Sequence, residues 1–201
     1  MSTTNDPRHW RSGLAAAVAV AALMLPATAF AVDLVGTAGP DHLVGTVDAD
    51  TISGLAGIDT LEGLAGPDLI DGGADADLVY GGSGNDTLLG GLGRDVLRGG
   101  PGADVVRGGD QADRIAGGEG ADTLYGGSGP DVIFGGDQAD MIWAGMGRDL
   151  VYGGRGNDVI HVGGDRRADA VHCGPGWDVV YLGRFDVADV TCERRIRSLE
   201  P

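Results

Sequence analysis

The amino-acid sequence predicts an all-β chain wound into a parallel solenoid of 18-residue coils. Three observations carry that prediction. A nine-residue period runs without a gap from Gly36 to His161, which makes fourteen units. The sixth place of every unit is Asp, and a branched aliphatic residue follows two places later each time. Glycine supplies 39 of the 201 residues, against a usual ~7%, and glycine disfavours helix more than any residue except proline, so an ordinary helical bundle is excluded.

Residues 1 to 31 read as a secretory signal peptide. Arg8 and Arg11 precede an apolar run from Leu14 to Leu25, and Ala29-Phe30-Ala31 forms a small-x-small cleavage site. The apolar run is shorter than the ~20 residues needed to span a bilayer. No second apolar run follows, and the expectation is export as a soluble, extracellular protein.

The chain carries 26 Asp, 4 Glu and 14 Arg but no Lys, for a net charge of −16. That balance argues against nucleic-acid binding, which needs cationic side chains to neutralise phosphates. The 42% hydrophobic content is too high for a simple acidic disordered tail.

Residues 32–161 form the repeat domain, with the fourteen units beginning at Gly36. The first place is Gly in thirteen units, Ala144 being the exception, and the best-formed copies, such as Gly81 to Leu89, read G-G-x-G-x-D-x-U-x. Three residues centred on one aliphatic and flanked by Val, Thr or Tyr suit a very short strand with one inward side chain. The six Gly-rich residues ending in Asp suit a turn that uses positive φ. Two strands and two turns make one coil. A single coil cannot bury its own aliphatics, so coils stack as parallel strands, and equivalent turns recur about every 4.8 Å along each edge.

The aspartates therefore form two columns. Carboxylates at that spacing repel by about 3 kcal/mol per neighbouring pair at an effective dielectric near 20, and a cation is required between them. Turn carboxylates and backbone carbonyls supply only oxygen. A site of six or more hard oxygens favours Ca²⁺ over Zn²⁺ or Cu²⁺, which prefer His or Cys, and over Mg²⁺, which dehydrates reluctantly. One aliphatic per nine residues is also a thin core, which predicts that folding is coupled to Ca²⁺ binding.

These G-G-x-G-x-D-x-U-x units resemble the haemolysin-type (RTX) calcium-binding nonapeptide repeat. The resemblance implies a right-handed parallel β-roll in which each ion is held between turns two repeats apart by Asp carboxylates and loop carbonyls. The metal-binding residues it implies are Asp41, Asp50, Asp59, Asp68, Asp77, Asp86, Asp95, Asp104, Asp113, Asp122, Asp131, Asp140, Asp149 and Asp158. Seven loops on each edge leave six gaps, so the expected load is on the order of eight to twelve Ca²⁺ ions.

Several units depart from the pattern. Thr37, Thr46, Leu55 and Leu64 replace the second Gly in the first four units, which makes those units candidates for weak sites or a cap. Asp48, Asp75, Gln111 and Gln138 stand in place of the fourth-position Gly, either as additional ligands or as tolerated turn drift.

Residues 162–201 read as degenerate repeats and a C-terminal cap. The Asp spacing becomes 11, 9 and 11 through Asp169, Asp178 and Asp189, which two-residue insertions explain. Val171 and Val180 keep the aliphatic place and Thr191 ends it. Asp169 and Asp189 then lie one coil apart on the same edge. Cys173 and Cys192 would leave neighbouring strands at similar heights, within disulfide reach, and an exported chain with just two Cys favours the bridge.

Catalysis finds no support, and the chain is not expected to be an enzyme. Ser83 and Ser128 lack the closing Gly of a nucleophile elbow, and neither a Walker Lys nor an H-E-x-x-H motif is present. Tyr125, Trp143 and His161 recur every 18 residues and predict an aromatic column on one sheet face, with Phe134 and Tyr152 on the other. Such a column either packs strand on strand or offers a binding strip. The expectation is a secreted calcium-binding repeat protein. The rival readings are a Ca²⁺-rigidified adhesion module that binds glycans or a protein, and a non-catalytic accessory chain of an extracellular enzyme.

Overall fold

A computed structural model describes residues 30–197. The signal-peptide expectation falls almost wholly on residues outside that range. Among the described residues there are nineteen strands and no helix. Odd-numbered strands, from β1 (Asp33–Val35) to β19 (Arg194–Arg197), form one sheet of ten. Even-numbered strands, from β2 (His42–Val44) to β18 (Val187–Ala188), form a sheet of nine. Each strand pairs in parallel with the strand two places away in sequence, never with its immediate neighbour. This is the predicted parallel β-solenoid of about nine turns.

The branched aliphatics form two facing columns. Leu61, Val79, Leu97, Ile115 and Ile133 run up the even sheet, and Ile70, Leu88, Val106, Leu124 and Ile142 run up the odd one, all fully buried. First-position glycines fill the remaining interior, where an added Cβ would press on backbone and carboxylate oxygens; the one side chain found at that place is the methyl of Ala144, which is fully buried.

The strands are longer than the three residues expected from sequence. From β4 (Thr60–Ala65) to β14 (Leu150–Arg155) each has six, taking in the first two places of the next unit, a Gly pair in most, and leaving turns of three residues such as Gly84-Asn85-Asp86. The ladder survives through the Gly pair because the second Gly adopts positive φ without losing register. Gly91 (φ 103°) pairs with Gly109 (φ 113°), and a Cβ on Gly91 would sit 2.1 Å from the Gly73 carbonyl oxygen. Leu55 (φ 76°) and Leu64 (φ 79°) are forced into the same conformation, as are Asp75, Gln111 and Gln138 at the fourth place. Each such residue costs about 1–2 kcal/mol in intrinsic backbone preference.

Both aromatic columns exist and extend further than expected. Tyr125, Trp143, His161 and Tyr181 stack on the odd sheet with centroids 4.9, 5.3 and 4.3 Å apart. Phe134, Tyr152 and His172 stack on the even sheet at 4.9 and 5.0 Å. Arg107 lies over Tyr125 and Arg114 over Phe134. The rings lie face to face along the ladder, the geometry of strand-on-strand packing.

The C-terminal end carries the predicted disulfide, Cys173–Cys192, with a Cα separation of 5.1 Å. Its register departs from expectation. The first insertion is present: Asp149 and Asp158 bond to residues 20 places on instead of 18. The second is not, because the next coil is shorter. Ala170 pairs with Val187 and Val171 with Ala188, so Ala188 takes the aliphatic place instead of Thr191. Asp186, immediately before that strand, therefore holds the position expected for Asp189. Asp189 is displaced to the surface, where its carboxylate bonds His172 Nδ1 (2.8 Å) and the Thr191 amide.

Candidate metal centre

Each repeat aspartate ends a turn and directly precedes a strand, which fixes its side chain against the coil that comes before it. From Asp59 to Asp158 its Oδ1 accepts a hydrogen bond from the backbone N–H of the aspartate 18 residues earlier, and Asp50 Oδ1 accepts from the Val32 N–H. Asp41 donates to Asp59 (2.8 Å), Asp77 to Asp95 (2.8 Å), Asp104 to Asp122 (2.9 Å) and Asp140 to Asp158 (2.9 Å). The two columns run through Asp41, Asp59 and Asp77 on one edge and through Asp50, Asp68 and Asp86 on the other. At the C-terminal end Asp169 donates to Asp186, and Asp178 donates to Glu193 Oε2 (2.9 Å). Glu193 was not among the expected site residues. It could not be read from the nonapeptide pattern, which the shortened coil has abandoned.

The second oxygen is the unusual one. Oδ2 is buried without a hydrogen-bond partner in Asp59, Asp68, Asp77, Asp86, Asp95, Asp104, Asp113, Asp122, Asp131, Asp140, Asp149 and Asp158, and also in Asp169 and Asp178. These residues are at most 3% exposed. A buried polar atom without a partner carries a desolvation cost of about 1–3 kcal/mol, more if charged, and demands an explanation. Among the described residues, no ion pair joins any of them to an Arg or His.

Asp41 and Asp50 differ from the other twelve expected residues. Their Oδ2 atoms accept hydrogen bonds from the amide and hydroxyl of Thr37 and of Thr46. The same Thr residues that break the Gly-Gly pattern thus satisfy the first two carboxylates with protein donors. The signal was visible in the sequence, but its meaning was not, since only the folded turn shows the hydroxyl facing its own aspartate.

From Asp59 to Asp158 the space beside the orphaned oxygen is kept open by the first-position Gly in every unit except that of Asp149, where Ala144 stands. A Cβ built on Gly54 would lie 2.4 Å from Asp59 Oδ2 and 2.6 Å from the Gly72 carbonyl oxygen, and one on Gly81 2.4 Å from Asp86 Oδ2 and 2.7 Å from the Gly99 carbonyl oxygen. Carboxylate and carbonyl oxygens of successive coils thus border one small region. Among the described residues no three His, Cys, Asp or Glu side chains cluster as a metal site would require. Each ion would therefore draw on one or two carboxylates and fill its shell with backbone oxygen. That donor set is entirely hard oxygen and fits Ca²⁺.

The electrostatics agree. Burial above all, with repulsion from neighbouring carboxylates, pushes Asp77, Asp104, Asp113, Asp131, Asp140 and Asp169 up to about 7, against the lowering effect of the amide bond. Asp68 and Asp158 are pushed up to about 6. The remaining orphaned aspartates shift in the same direction, burial again leading. A bound divalent cation would supply the positive charge that these stacked carboxylates lack.

Stacked parallel coils with buried, unpartnered carboxylates at every turn define a class, the metal-binding β-solenoids. Within it, a family model of the RTX calcium-binding nonapeptide repeat matches the chain four times, over residues 33–61, 53–88, 89–124 and 125–160. These matches cover more than half of the sequence, and the protein belongs to that family: it is a calcium-binding repeat protein. No curated protein matches the chain.

Proposed function

We propose that this is a secreted, non-enzymatic protein whose folding is completed by Ca²⁺ ions lodged between successive turns along both edges. The observation that carries the reading is the set of orphaned Oδ2 atoms, stacked in two columns and joined, among the described residues, to no Arg or His. The proposed ligands are the aspartates from Asp59 to Asp158 together with Asp169 and Asp178, joined by carbonyls of the turn glycines. Seven orphaned carboxylates on each edge leave six gaps, so about a dozen ions is the upper bound. Asp41 and Asp50, already satisfied by threonine, belong to an N-terminal cap with little call for metal. Export through the N-terminal segment, with cleavage after Ala31, is part of the proposal.

The test is a calorimetric Ca²⁺ titration of the purified protein at pH 8, followed in parallel by far-UV circular dichroism. The expected result is a β-sheet signal that is weak in chelator and appears cooperatively as several ions bind. Retention of the full β signal in chelator at pH 8 would overturn the coupling, and an absence of heat on adding Ca²⁺ would overturn the site assignment.

A further inference from the structure

Along most of the solenoid, turns of equal length stack so closely that the neighbouring backbone fills the space beside each one. A Cβ on Gly147 would lie 2.0 Å from the Gly129 carbonyl oxygen. That stacking fails towards the C-terminal end. The turn after β15 (Val159–His161) is two residues longer than its predecessors, whereas the turn after β17 (Val179–Leu182) belongs to the shortened final coil. A Cβ on Gly164, in the long turn, would meet nothing within 4 Å. The mismatch opens a cleft of about 740 Å³ between the two turns, bounded below by Ile196 of the last strand.

The chemistry of the cleft differs from the rest of the molecule. On the sheet side it is lined by His161 and Tyr181, the end of the aromatic column, whose rings lie parallel with centroids 4.3 Å apart. Burial lowers the pKa of His161, favouring the neutral ring. Phe185 adds a third ring, exposed at the rim. Arg166 from the long turn and Arg184 from the short one also line the cleft, and among the described residues neither makes an ion pair. Asp165, the acidic residue in the lining, has both oxygens committed to the amides of Gly147 and Arg167. Arg197 braces the short turn by donating to the carbonyls of Gly183 and Asp186. In a chain of net charge −16, this is a cationic, aromatic cleft with exposed glycine backbone.

We propose that this cleft binds an acidic sugar, with the apolar side of a pyranose ring against the face of Tyr181 turned away from His161, the end of the column, and its carboxylate between Arg166 and Arg184. Arginine holds carboxylates through paired, directional hydrogen bonds. Rings that are apolar on one face and polar at the edge suit a cleft combining aromatic side chains with a few convergent polar groups. The site does not depend on which ions occupy the repeat, only on a folded cap.

The probe is methyl β-D-glucuronide, with neutral methyl β-D-glucoside as its counterpart, in saturating Ca²⁺ and read by NMR titration of the protein's aromatic resonances. The glucuronide is expected to bind at least tenfold more tightly than the glucoside and to shift the His161 and Tyr181 resonances. The double variant Arg166→Gln/Arg184→Gln should remove the tenfold preference, Tyr181→Ala should weaken both sugars, and Arg94→Gln on a remote turn should change neither. Equal binding of the two sugars, undiminished preference in the arginine variant, or shifts confined to other aromatic residues would overturn the proposal. Because the wild-type shifts locate the ligand directly, the test survives a variant that fails to fold. Should the protein prove folded without Ca²⁺, the same titration run in chelator separates the two readings.

Discussion

Acidification should fold the calcium-free protein, the reverse of ordinary acid denaturation. The folded-state pKa of eight orphaned aspartates lies at about 6 or 7: Asp68, Asp77, Asp104, Asp113, Asp131, Asp140, Asp158 and Asp169. In the unfolded chain each returns to 3.8. Between those values the folded state holds protons that the unfolded state has released. Stability is therefore greatest below about pH 4, falls as pH rises, and reaches its floor above about pH 7. Each proton taken up on folding contributes about 1.4 kcal/mol per pH unit. If coupling along the columns left only two of the eight fully effective, the slope would still be about 3 kcal/mol per pH unit, enough to move a marginal fold across its midpoint. The assay is far-UV circular dichroism in buffers stripped of divalent metal, taken from pH 8 to pH 5.5 to stay above the isoelectric point near 4.3. A β signal that grows on acidification, and that becomes pH-independent once Ca²⁺ is present, is expected. A metal-free β signal that is constant over this range, or that declines as the pH is lowered, would refute the argument.

Replacing Gly81 by Ala places a methyl group 2.4 Å from Asp86 Oδ2 and 2.7 Å from the Gly99 carbonyl oxygen; this should cost about 1–3 kcal/mol by overpacking and weaken Ca²⁺ binding in a calorimetric titration. Leu64→Gly relieves a positive φ of 79° and should stabilise the Ca²⁺-loaded protein by about 1 kcal/mol, visible as a higher thermal midpoint. Cys173→Ser removes a bridge spanning 19 residues and should lower stability by about 3 kcal/mol, read by urea unfolding in Ca²⁺.

Much of the architecture was legible because a strict nine-residue period leaves few ways to bury one aliphatic per unit. Ile70 and Leu88, 18 residues apart, could only be stacked partners, and they are. The tyrosine, tryptophan and histidine of one column followed from the same arithmetic. Periodicity could not reveal which donor meets each carboxylate oxygen. The hydroxyl of Thr46 and the amide of Asp50 are both near in sequence to Asp50, yet the first bonds its Oδ2 while the second bonds Asp68. Where the repeat decays, register passes to strand pairing. Asp186 and Asp189 offer equally good local sequence, and the pairing of Val187 with Ala170 selects the former. The strand length was underestimated because adjacent glycines read as a turn, although their flexibility also lets a parallel ladder continue.

Interior rungs are bonded mainly to the rung before and the rung after, while threonine seals one extremity and a covalent bridge the other. Excising residues 105–122 would join Asp104 to Thr123 and leave the D-x-U order intact, shortening the molecule by one strand spacing of about 4.8 Å. The protein is thus built like a ruler whose graduations can be added or removed without redesigning its ends. Its reach is a property that duplication or loss of 18 codons could adjust in single steps.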